Sequence, residues 1–325
     1  WRHGDDILFA GEEEFVDSVY DKLKGEMIIK KRALLGFAEK DDKHCTILNR
    51  LIDFTVGEDG PVITYEPDPR HVDLLLEHMG LEGAKVKGVS TPGEKSGTYY
   101  DETELEKSSV TLYRSCVMRL AYLSADLPHL QFCANRLARG MAKPTRGHWN
   151  RLKRAVRYLK VHGRWVQEYR LQDPTSMIDI FTDSDWAGDK IDRKSVSCVV
   201  TLIGGHCIRC QTATQTVPAL SSGEAEYVGN VKGGSVGIGM QSMARDFGGE
   251  RVVRIATDSS ASKGIASRLG LGKIRHLDTG LLWLQHHVRR KVLQLVKTTG
   301  SGNPADIGTK DLADEDMKRI MINFG

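Results

Sequence analysis

Apolar residues recur at two different intervals along the chain, and the change falls near position 175. Before it, the first hundred residues combine short strands with two helical stripes, in which apolar residues recur every three or four positions, and the pattern is helical again from Tyr113 to Tyr169. The clearest stripes are Phe15, Val19 and Leu23; Val72, Leu75, Leu76 and Met79, ended by Gly80; and Trp149, Leu152, Val156 and Leu159. After it, shorter apolar runs predict strands at 177–182, 195–202, 206–213, 252–257 and 292–296. Further helices are predicted to open at Ser221, to run around 281–290 and to begin at Asn303.

The order of these elements predicts the fold class. A hairpin followed by alternating strands and helices predicts a mixed α/β fold, with one mixed sheet and helices on its faces. The stretch 92–103 contains Gly, Ser, Tyr and acidic residues without periodicity, and we interpret it as a linker. The length of 325 residues corresponds to two average domains.

Composition changes this picture little. The chain is 40% hydrophobic and 27% charged, which is ordinary for a globular protein with a buried core. No apolar run approaches the roughly 20 residues that span a bilayer, so we expect no membrane partner. Six scattered cysteines in so long a chain favour reduced thiols and an intracellular location. The chain begins at Trp1 without a signal segment, and we interpret it as a piece of a longer protein.

Cys207 and Cys210 have the spacing of a zinc knuckle, but no second pair of Cys or His residues follows nearby. Both lie on the predicted second arm of the hairpin. Residues three apart on a strand point to opposite faces. The spacing therefore does not predict a zinc site.

The positive charge is concentrated in one segment, although the net charge is only +3. Between positions 136 and 170 the only acidic residue is Glu168, set against eleven Lys and Arg residues. A concentrated basic stretch predicts a polyanionic partner, such as the phosphates of a nucleic acid. A solvated helix face is the alternative and stays open. The side chains proposed for phosphate contact are Arg146, Arg151, Lys153, Arg154, Arg157 and Lys160.

Four carboxylates are predicted to converge at one edge of the sheet. Asp183 and Asp258 follow strand ends. Glu226 lies in the second turn of the helix that opens at Ser221, and Asp306 lies in the first turn of the helix that begins at Asn303. Carboxylates that meet repel one another unless a cation neutralises them. Oxygen ligands favour Mg²⁺ or Mn²⁺ over zinc, and two such ions can drive phosphodiester hydrolysis.

Each of these acids also has a purely structural explanation. Asp is common where a strand enters a turn, and Asp306 suits the N-terminus of a helix electrostatically. Glu224 is interpreted only as the capping-box partner of Ser221. Spacing alone leaves both interpretations open.

Six motifs surround these carboxylates. They are FTDSDWAGD (181–189), DRKS (192–195), ALSSGEAEY (219–227), TDSSA (257–261), RHLD (275–278) and NPADIGTK (303–310). In this order they resemble the ribonuclease H domain of copia-type LTR retrotransposon Pol polyproteins. The resemblance implies a ribonuclease H-like mixed sheet flanked by helices over 176–325. It also implies that the catalytic metal ligands are Asp183, Glu226, Asp258 and Asp306, holding two Mg²⁺ ions, with Mn²⁺ as a substitute.

The resemblance extends upstream through further motifs. They are GDDILFAG (4–11), STP (90–92), YRS (113–115), YLS (122–124) and KRAVRYLK (153–160). The first resembles the reverse-transcriptase palm hairpin, in which Asp5 and Asp6 would be a remnant polymerase metal site. The resemblance implies a truncated palm-end and thumb region over 1–100 and a linker with a basic helical connection over 101–175. The palm strand that carries the third polymerase aspartate is expected to be absent.

The implied activity is endonucleolytic hydrolysis of the RNA strand of RNA–DNA hybrids by two-metal catalysis. The implied partners are the hybrid and the rest of the Pol polyprotein, namely the upstream reverse transcriptase and the integrase. The implied location is the cytoplasm, a virus-like particle or the nucleus.

The alternative is a decayed, inactive remnant that still binds nucleic acid. Two departures from the family leave it open. The helix after Glu226 contains five glycines, at roughly 1 kcal/mol each relative to alanine. The loop Gly300-Ser301-Gly302 lacks the histidine that cellular relatives place there. Retention of all four carboxylates favours the enzyme.

Overall fold

A computed structural model describes residues 2–3, 5–94, 100–189 and 191–324, with the backbone only for Arg2 and His3. Part of the predicted linker, 95–99, lies outside the described residues, as does Gly4 of the first motif. The chain divides into two compact units, Trp1–Cys45 and Thr46–Gly325. None of the described helices is long and apolar enough to cross a membrane.

From position 177 onward the strands follow the predicted order, whereas the strands before it, apart from the hairpin around Asp5 and Asp6, were not individually predicted and the one at 167–170 lies at the end of a stretch predicted as helical. The strands are β1 (Arg2–His3), β2 (Asp6–Ile7), β3 (His44–Ile47), β4 (Arg50–Gly57), β5 (Gly60–Glu66), β6 (Gln167–Arg170), β7 (Met177–Ser184), β8 (Val196–Ile203), β9 (His206–Thr214), β10 (Val252–Thr257) and β11 (Leu293–Lys297). The α-helices are α1 (Glu13–Glu26), α2 (Arg70–His78), α3 (Lys107–Ser124), α4 (Gln131–Arg139), α5 (Arg146–His162), α6 (Ser222–Asp246), α7 (Ser260–Ser267), α8 (Trp283–Arg289) and α9 (Asp314–Met321).

The first unit contains the hairpin predicted around Asp5 and Asp6. Strands β1 and β2 pair antiparallel, with Arg2 opposite Ile7 and His3 opposite Asp6. Helix α1 follows, at the position predicted from the stripe of Phe15, Val19 and Leu23.

A five-stranded mixed sheet forms the centre of the second unit. Its order is β11-β10-β7-β8-β9, in which β7, β8 and β9 are antiparallel and β10 runs parallel to both β7 and β11. The predicted mixed α/β fold class is confirmed. A second sheet of four strands has the order β3-β4-β5-β6.

The central sheet is covered on both faces. On one face, Ile178, Ile180, Val253 and Ile255 pack with residues of α6, α7 and α8. On the other, residues of β8 and β9 share one apolar cluster with α2, α3, α4, α5 and α9. Helices α2 to α5 and strands β8 and β9 therefore bury side chains in a common core.

Two helices differ from their predicted extents. The helix predicted around 281–290 is only α8, because a 3-10 turn over Thr279–Leu282, capped by Asp278, precedes it. The helix predicted from Asn303 is a 3-10 turn, Pro304–Gly308, and α9 begins later. Gly308 ends that turn where the backbone presses against Cys198 and Thr212, so close that a Cβ would collide with both.

The prediction that Cys207 and Cys210 point to opposite faces is wrong. Both thiols are buried in the same apolar cluster, and Cys210 Sγ lies 3.9 Å from Cys198 Sγ. The register between β8 and β9 shifts at Thr201 and Leu202, which inserts Ile208 as an extra residue. Such a bulge reverses the alternation of faces along the strand. All six cysteines are free thiols.

Candidate metal centre

Asp183 and Asp258 meet at the carboxyl edge of the central sheet. Strands β7 and β10 are parallel, with Phe181 opposite Ala256, so both chains run off the sheet at the same edge. Asp183 is the second-last residue of β7, and Asp258 follows β10 directly. Asp183 is 3% exposed, which is rare for an acidic side chain.

Helix α6 brings Glu226 to the same edge because glycines let it approach the sheet closely. A Cβ on Gly229 would lie 2.6 Å from Ser184 Oγ, one on Gly233 2.7 Å from Thr182 Cγ2, and one on Gly237 2.4 Å from Val253 Cγ1. These glycines are four residues apart and therefore share one helix face. The glycines that lower the intrinsic stability of α6 thus determine how near Glu226 lies to β7.

A buried polar network locks α6 to the sheet and to α7. The Thr182 hydroxyl donates to Asn230 Oδ1 at 2.5 Å, and Asn230 Nδ2 donates to Ser262 Oγ at 2.5 Å. All three residues are fully buried. Because paired buried polar groups are costly to separate, the network fixes the position of α6 along β7.

The structure brings three of the four predicted carboxylates into one cluster. Asp183, Glu226 and Asp258 each offer an oxygen within 4.8 Å of the others. Among the described residues, no other group of three or more potential metal ligands comes so close. Asp5 and Asp6 therefore have no third described carboxylate or histidine beside them.

The fourth carboxylate, Asp306, joins the cluster through a lysine. Lys310 Nζ lies 2.7 Å from Asp306 Oδ1 and 3.5 Å from Asp183 Oδ2. The Thr309 hydroxyl donates to the same Asp183 oxygen. Asn303 holds this turn in place, because its Nδ2 donates to the Thr182 carbonyl and its Oδ1 accepts from the Ala305 amide.

The pKa values of three acids in the cluster are raised, as expected for carboxylates that are buried close together. Burial, reinforced by the charges of Asp183 and Asp258, raises the pKa of Glu226 to about 8. Burial and the Asp183 charge raise the pKa of Asp306 to about 6, although Lys310 opposes the shift. Burial, then Asp183, also raises the pKa of Asp258. Perturbed acids grouped in this way are typical of functional sites.

One oxygen of Glu226 is suited to bind a divalent cation. The side chain is 8% exposed, and its Oε1 accepts from the Ser184 amide at 3.3 Å. Its Oε2 is buried and has no hydrogen-bond partner among the described residues. A buried oxygen without a partner beside two further carboxylates fits a hard divalent cation, for which oxygen is the preferred ligand.

The cluster is open to solvent beside Asp258. An opening of about 680 Å³ is lined by Asp258, Lys297, Thr298, Thr299 and Gly300. Of the four carboxylates, Asp258 therefore faces this opening, on the side of the loop after β11.

Two neighbouring acids have structural roles. Asp185 accepts from the Val196 amide and stays in the turn after β7. Glu224 does not complete the predicted capping box, because its Oε2 accepts from the Leu220 amide at 3.0 Å instead of the Ser221 amide. The same oxygen lies 2.9 Å from His276 Nε2. Ser221 nevertheless caps α6, with its hydroxyl accepting from the Glu224 amide at 3.2 Å.

The basic side chains of α5 lie mostly against the protein itself. Arg151 is buried, 3.2 Å from Asp311, and Arg154 lies 2.6 Å from Glu94. Arg157 donates to the Lys87 carbonyl at 2.7 Å. Lys160 donates to three successive carbonyls of the loop after α2, at distances down to 2.6 Å.

The other two basic residues selected on this helix are exposed. Arg146 begins α5, and Lys153 lies 5.9 Å from the centre of the Trp149 ring. The backbone of 101–105, which the sequence places at the end of a linker, pairs with the first turn of α5. Of the six side chains, Arg146 and Lys153 are the most accessible to a ligand.

Sequence reasoning missed Thr309 and Lys310 as parts of the site. The signal was present, because Lys310 follows Asp306 by four residues, the spacing of an ion pair on one turn. It also missed Thr182 and Asn230, whose hydrogen bond gives no pattern along the chain.

Known proteins similar to this chain include plant transposon polyproteins. The Retrovirus-related Pol polyprotein from transposon RE2 of Arabidopsis thaliana is 34% identical over 159 residues, or 48% of this chain. That from transposon RE1 of the same plant is 29% identical over 261 residues, or 78% of this chain. The chain spans only 10% and 17% of their lengths. No protein-family model matches it.

A solved structure that matches part of this chain is LC11-RNase H1, isolated from compost. It is 17% identical and covers 43% of this chain and 98% of its own chain, with a TM-score of 0.32.

Proposed function

Because the chain belongs to the retrovirus-related Pol polyproteins of transposons, we propose that it hydrolyses the RNA strand of an RNA–DNA hybrid at the carboxylate cluster. The observation that carries this proposal is the convergence of Asp183, Glu226 and Asp258 around a buried Glu226 oxygen without a partner. The copia-type motifs that contain these residues support the same activity.

The cluster would hold two divalent cations, Mg²⁺ or Mn²⁺, through Asp183, Glu226, Asp258 and Asp306. Such ions, when bound, lower the pKa of a water and stabilise the charge that develops on the leaving oxygen. The residues of the chain supply the rigid frame. Asp183 lies between Asp306 and the pair of Glu226 and Asp258, so it is the residue suited to serve both ion positions.

Substrate recognition would depend on backbone shape, phosphates and 2′-hydroxyls, not on base sequence. The accessible side chains Arg146 and Lys153 are suited to phosphates. The buried or paired Arg151, Arg154, Arg157 and Lys160 would support that surface from within. The natural setting would be the longer Pol polyprotein, with its reverse transcriptase and integrase, in the cytoplasm, a virus-like particle or the nucleus.

The test is cleavage of a labelled RNA–DNA hybrid by the purified chain, with Mg²⁺ and with EDTA. We expect Mg²⁺-dependent cutting of the RNA strand alone. Binding of the hybrid without cleavage would instead identify an inactive remnant. On the same hybrid we expect no primer extension, because the Asp5–Asp6 hairpin has no further described ligand beside it.

A further inference from the structure

The cluster is charged asymmetrically. On the side of Asp306, the Lys310 ammonium lies 2.7 Å from Asp306 Oδ1 and 3.5 Å from Asp183 Oδ2. On the side of Glu226 and Asp258, the buried Glu226 Oε2 has no described partner. The three carboxylates that lie within 4.8 Å of one another exclude Asp306. One half of the cluster thus contains the Lys310 ammonium, whereas no ion pair between described residues reaches Glu226 or Asp258.

Asp183 Oδ2 is contacted by one neutral donor, the Thr309 hydroxyl, and one cation, the Lys310 ammonium. The Thr309 hydroxyl donates to Asp183 Oδ2, the atom that Lys310 approaches. The oxygen therefore has two donors before any metal binds. A cation between Asp183 and Asp306 would lie within a few ångströms of the ammonium, where like charges repel strongly in a partly buried site.

We propose that Lys310 is a built-in counter-cation that occupies the Asp183–Asp306 half of the cluster and that a second divalent ion must displace. This inference rests on the proposed function. A first ion binds among Asp183, Glu226 and Asp258 without moving the lysine. A second ion binds only after the ammonium leaves, so Lys310 sets how many ions the site holds at a given concentration.

The lysine is built for such movement. Its side chain is 45% exposed, whereas Asp183 and Asp306 are nearly buried. A flexible four-carbon stem lets the ammonium swing into solvent while the stem stays against the protein. A released ammonium beside the cluster would be close to the phosphates of a bound polyanion.

The test compares Mn²⁺ binding to the parent, Lys310→Met and Lys310→Arg, by calorimetry and by the electron paramagnetic resonance signal of free Mn²⁺. We expect one strong and one weak ion in the parent. In Lys310→Met the second ion should bind at least about tenfold more tightly, because the competing charge is gone. Lys310→Arg keeps the charge and should resemble the parent.

The matched control is Lys297→Met. Lys297 also lines the opening beside Asp258, but its ammonium donates to Ser260 Oγ at 2.6 Å, away from Asp183 and Asp306. The control makes the same change in net charge. A second ion tightened equally by Lys297→Met would attribute the effect to net charge and overturn the inference.

The outcomes separate this inference from the proposed function. Two ions with the same affinities in the parent and in Lys310→Met would overturn the role of Lys310 and leave the metal centre intact. No Mn²⁺ bound by any variant would remove the metal centre itself, and the inference with it.

A labelling experiment on the parent keeps the inference testable where Lys310→Met fails to fold. The rate of Lys310 acetylation, measured by mass spectrometry, should rise at the Mn²⁺ concentration that fills the second site, because the displaced ammonium is then in solvent. Labelling that stays constant while two ions bind would overturn the inference.

Discussion

The carboxylate cluster and helix α5 both concentrate like charges, but the fold treats them in opposite ways. Along α5, the partly buried basic side chains each meet a carboxylate or carbonyl of the same chain, as Arg151 meets Asp311 and Arg157 meets the Lys87 carbonyl. In the cluster, Lys310 pairs with only two of the four acids, Asp183 and Asp306, and the buried Glu226 Oε2 has no described partner.

This difference distinguishes charged side chains that are paired within the fold from charged side chains that are available to bind a ligand. A buried charge that has its partners avoids the larger cost of an unpaired buried charge. A buried carboxylate oxygen without a partner is costly and is retained where something else binds it. In the sequence, the basic run is the more conspicuous of the two, yet the less conspicuous acids form the stronger candidate site.

The largest expected effect comes from removing one charge of the cluster. Asp258→Asn keeps the shape but weakens the cation site, so hybrid cleavage should fall on the order of 10²- to 10³-fold, as when a group that stabilises transition-state charge is lost. The apo protein should fold at least as well as the parent, because repulsion is relieved. Cleavage rates and thermal denaturation in EDTA measure both.

Glu224→Gln is the matched control for this experiment. Glu224 lies on α6 near Glu226 but accepts from the Leu220 amide, and a glutamine oxygen can still do so. Most of the activity should remain. Equal cleavage by Asp258→Asn and the parent would contradict the catalytic assignment.

The second effect, on stability, should appear on the basic helix. Arg151→Met leaves the partly buried Asp311 without this partner and should lower the free energy of unfolding by about 3 kcal/mol. Lys153→Met removes the same charge from an exposed position and should change it by less than about 0.5 kcal/mol. Urea denaturation of the two variants compares them, and an equal effect would mean that Arg151 is not part of the core.

A third effect tests how α6 presents Glu226 to the cluster. Gly237→Ala places a Cβ 2.4 Å from Val253 Cγ1, and this overpacking should lower the free energy of unfolding by about 1–3 kcal/mol. Gly239→Ala, on the same helix, meets nothing within 4 Å and should stabilise by up to about 1 kcal/mol. The same denaturation measurement distinguishes them, and two effects of the same sign would contradict the close approach.

The fourth effect is a pH dependence confined to the cluster. The folded pKa of Glu226, about 8, exceeds its ordinary value of 4.5, so the folded chain retains a proton that the unfolded chain releases. The stability from this group is present below about pH 4.5 and is lost as the pH rises through about 8. In EDTA, the melting temperature of the parent should therefore fall over this range relative to Glu226→Gln. Parallel curves would show that Glu226 titrates normally.

The smallest effect concerns the accessible charges of α5. If Lys153 contacts a phosphate, Lys153→Met should reduce the slope of log affinity against log salt by about 0.9, for a hybrid that behaves like duplex DNA. Filter binding at several salt concentrations measures this slope. An unchanged slope would assign Lys153 to the solvated surface.

The sequence predicted the positions of Asp183 and Asp258 well because strand ends are local features and parallel strands share an edge. It predicted the N-caps Ser221 and Asn303 for the same reason, since a cap depends on its own amides. The bulge at Ile208 was missed because it reflects pairing between two strands, which leaves no mark on either one alone.

Other parts of the site required tertiary information. The glycines of α6 were interpreted as a weakness, since the surface they contact belongs to β7 and β10, far away in sequence. The basic run was interpreted as a ligand surface because its partners, such as Asp311, lie up to 160 residues away. Charge patterns along a chain do not reveal which of them the fold neutralises.

The apolar cluster that α2 to α5 share with β8 and β9 has a consequence for how the gene can be divided. Val200, Cys207 and Cys210 of the central sheet are covered by side chains such as Leu137 and Leu159. A gene segment encoding only the sheet would produce a protein with that face bare to water. Recombination that divided the coding sequence near position 175 would therefore separate strands β8 and β9 from the helices that share their apolar cluster.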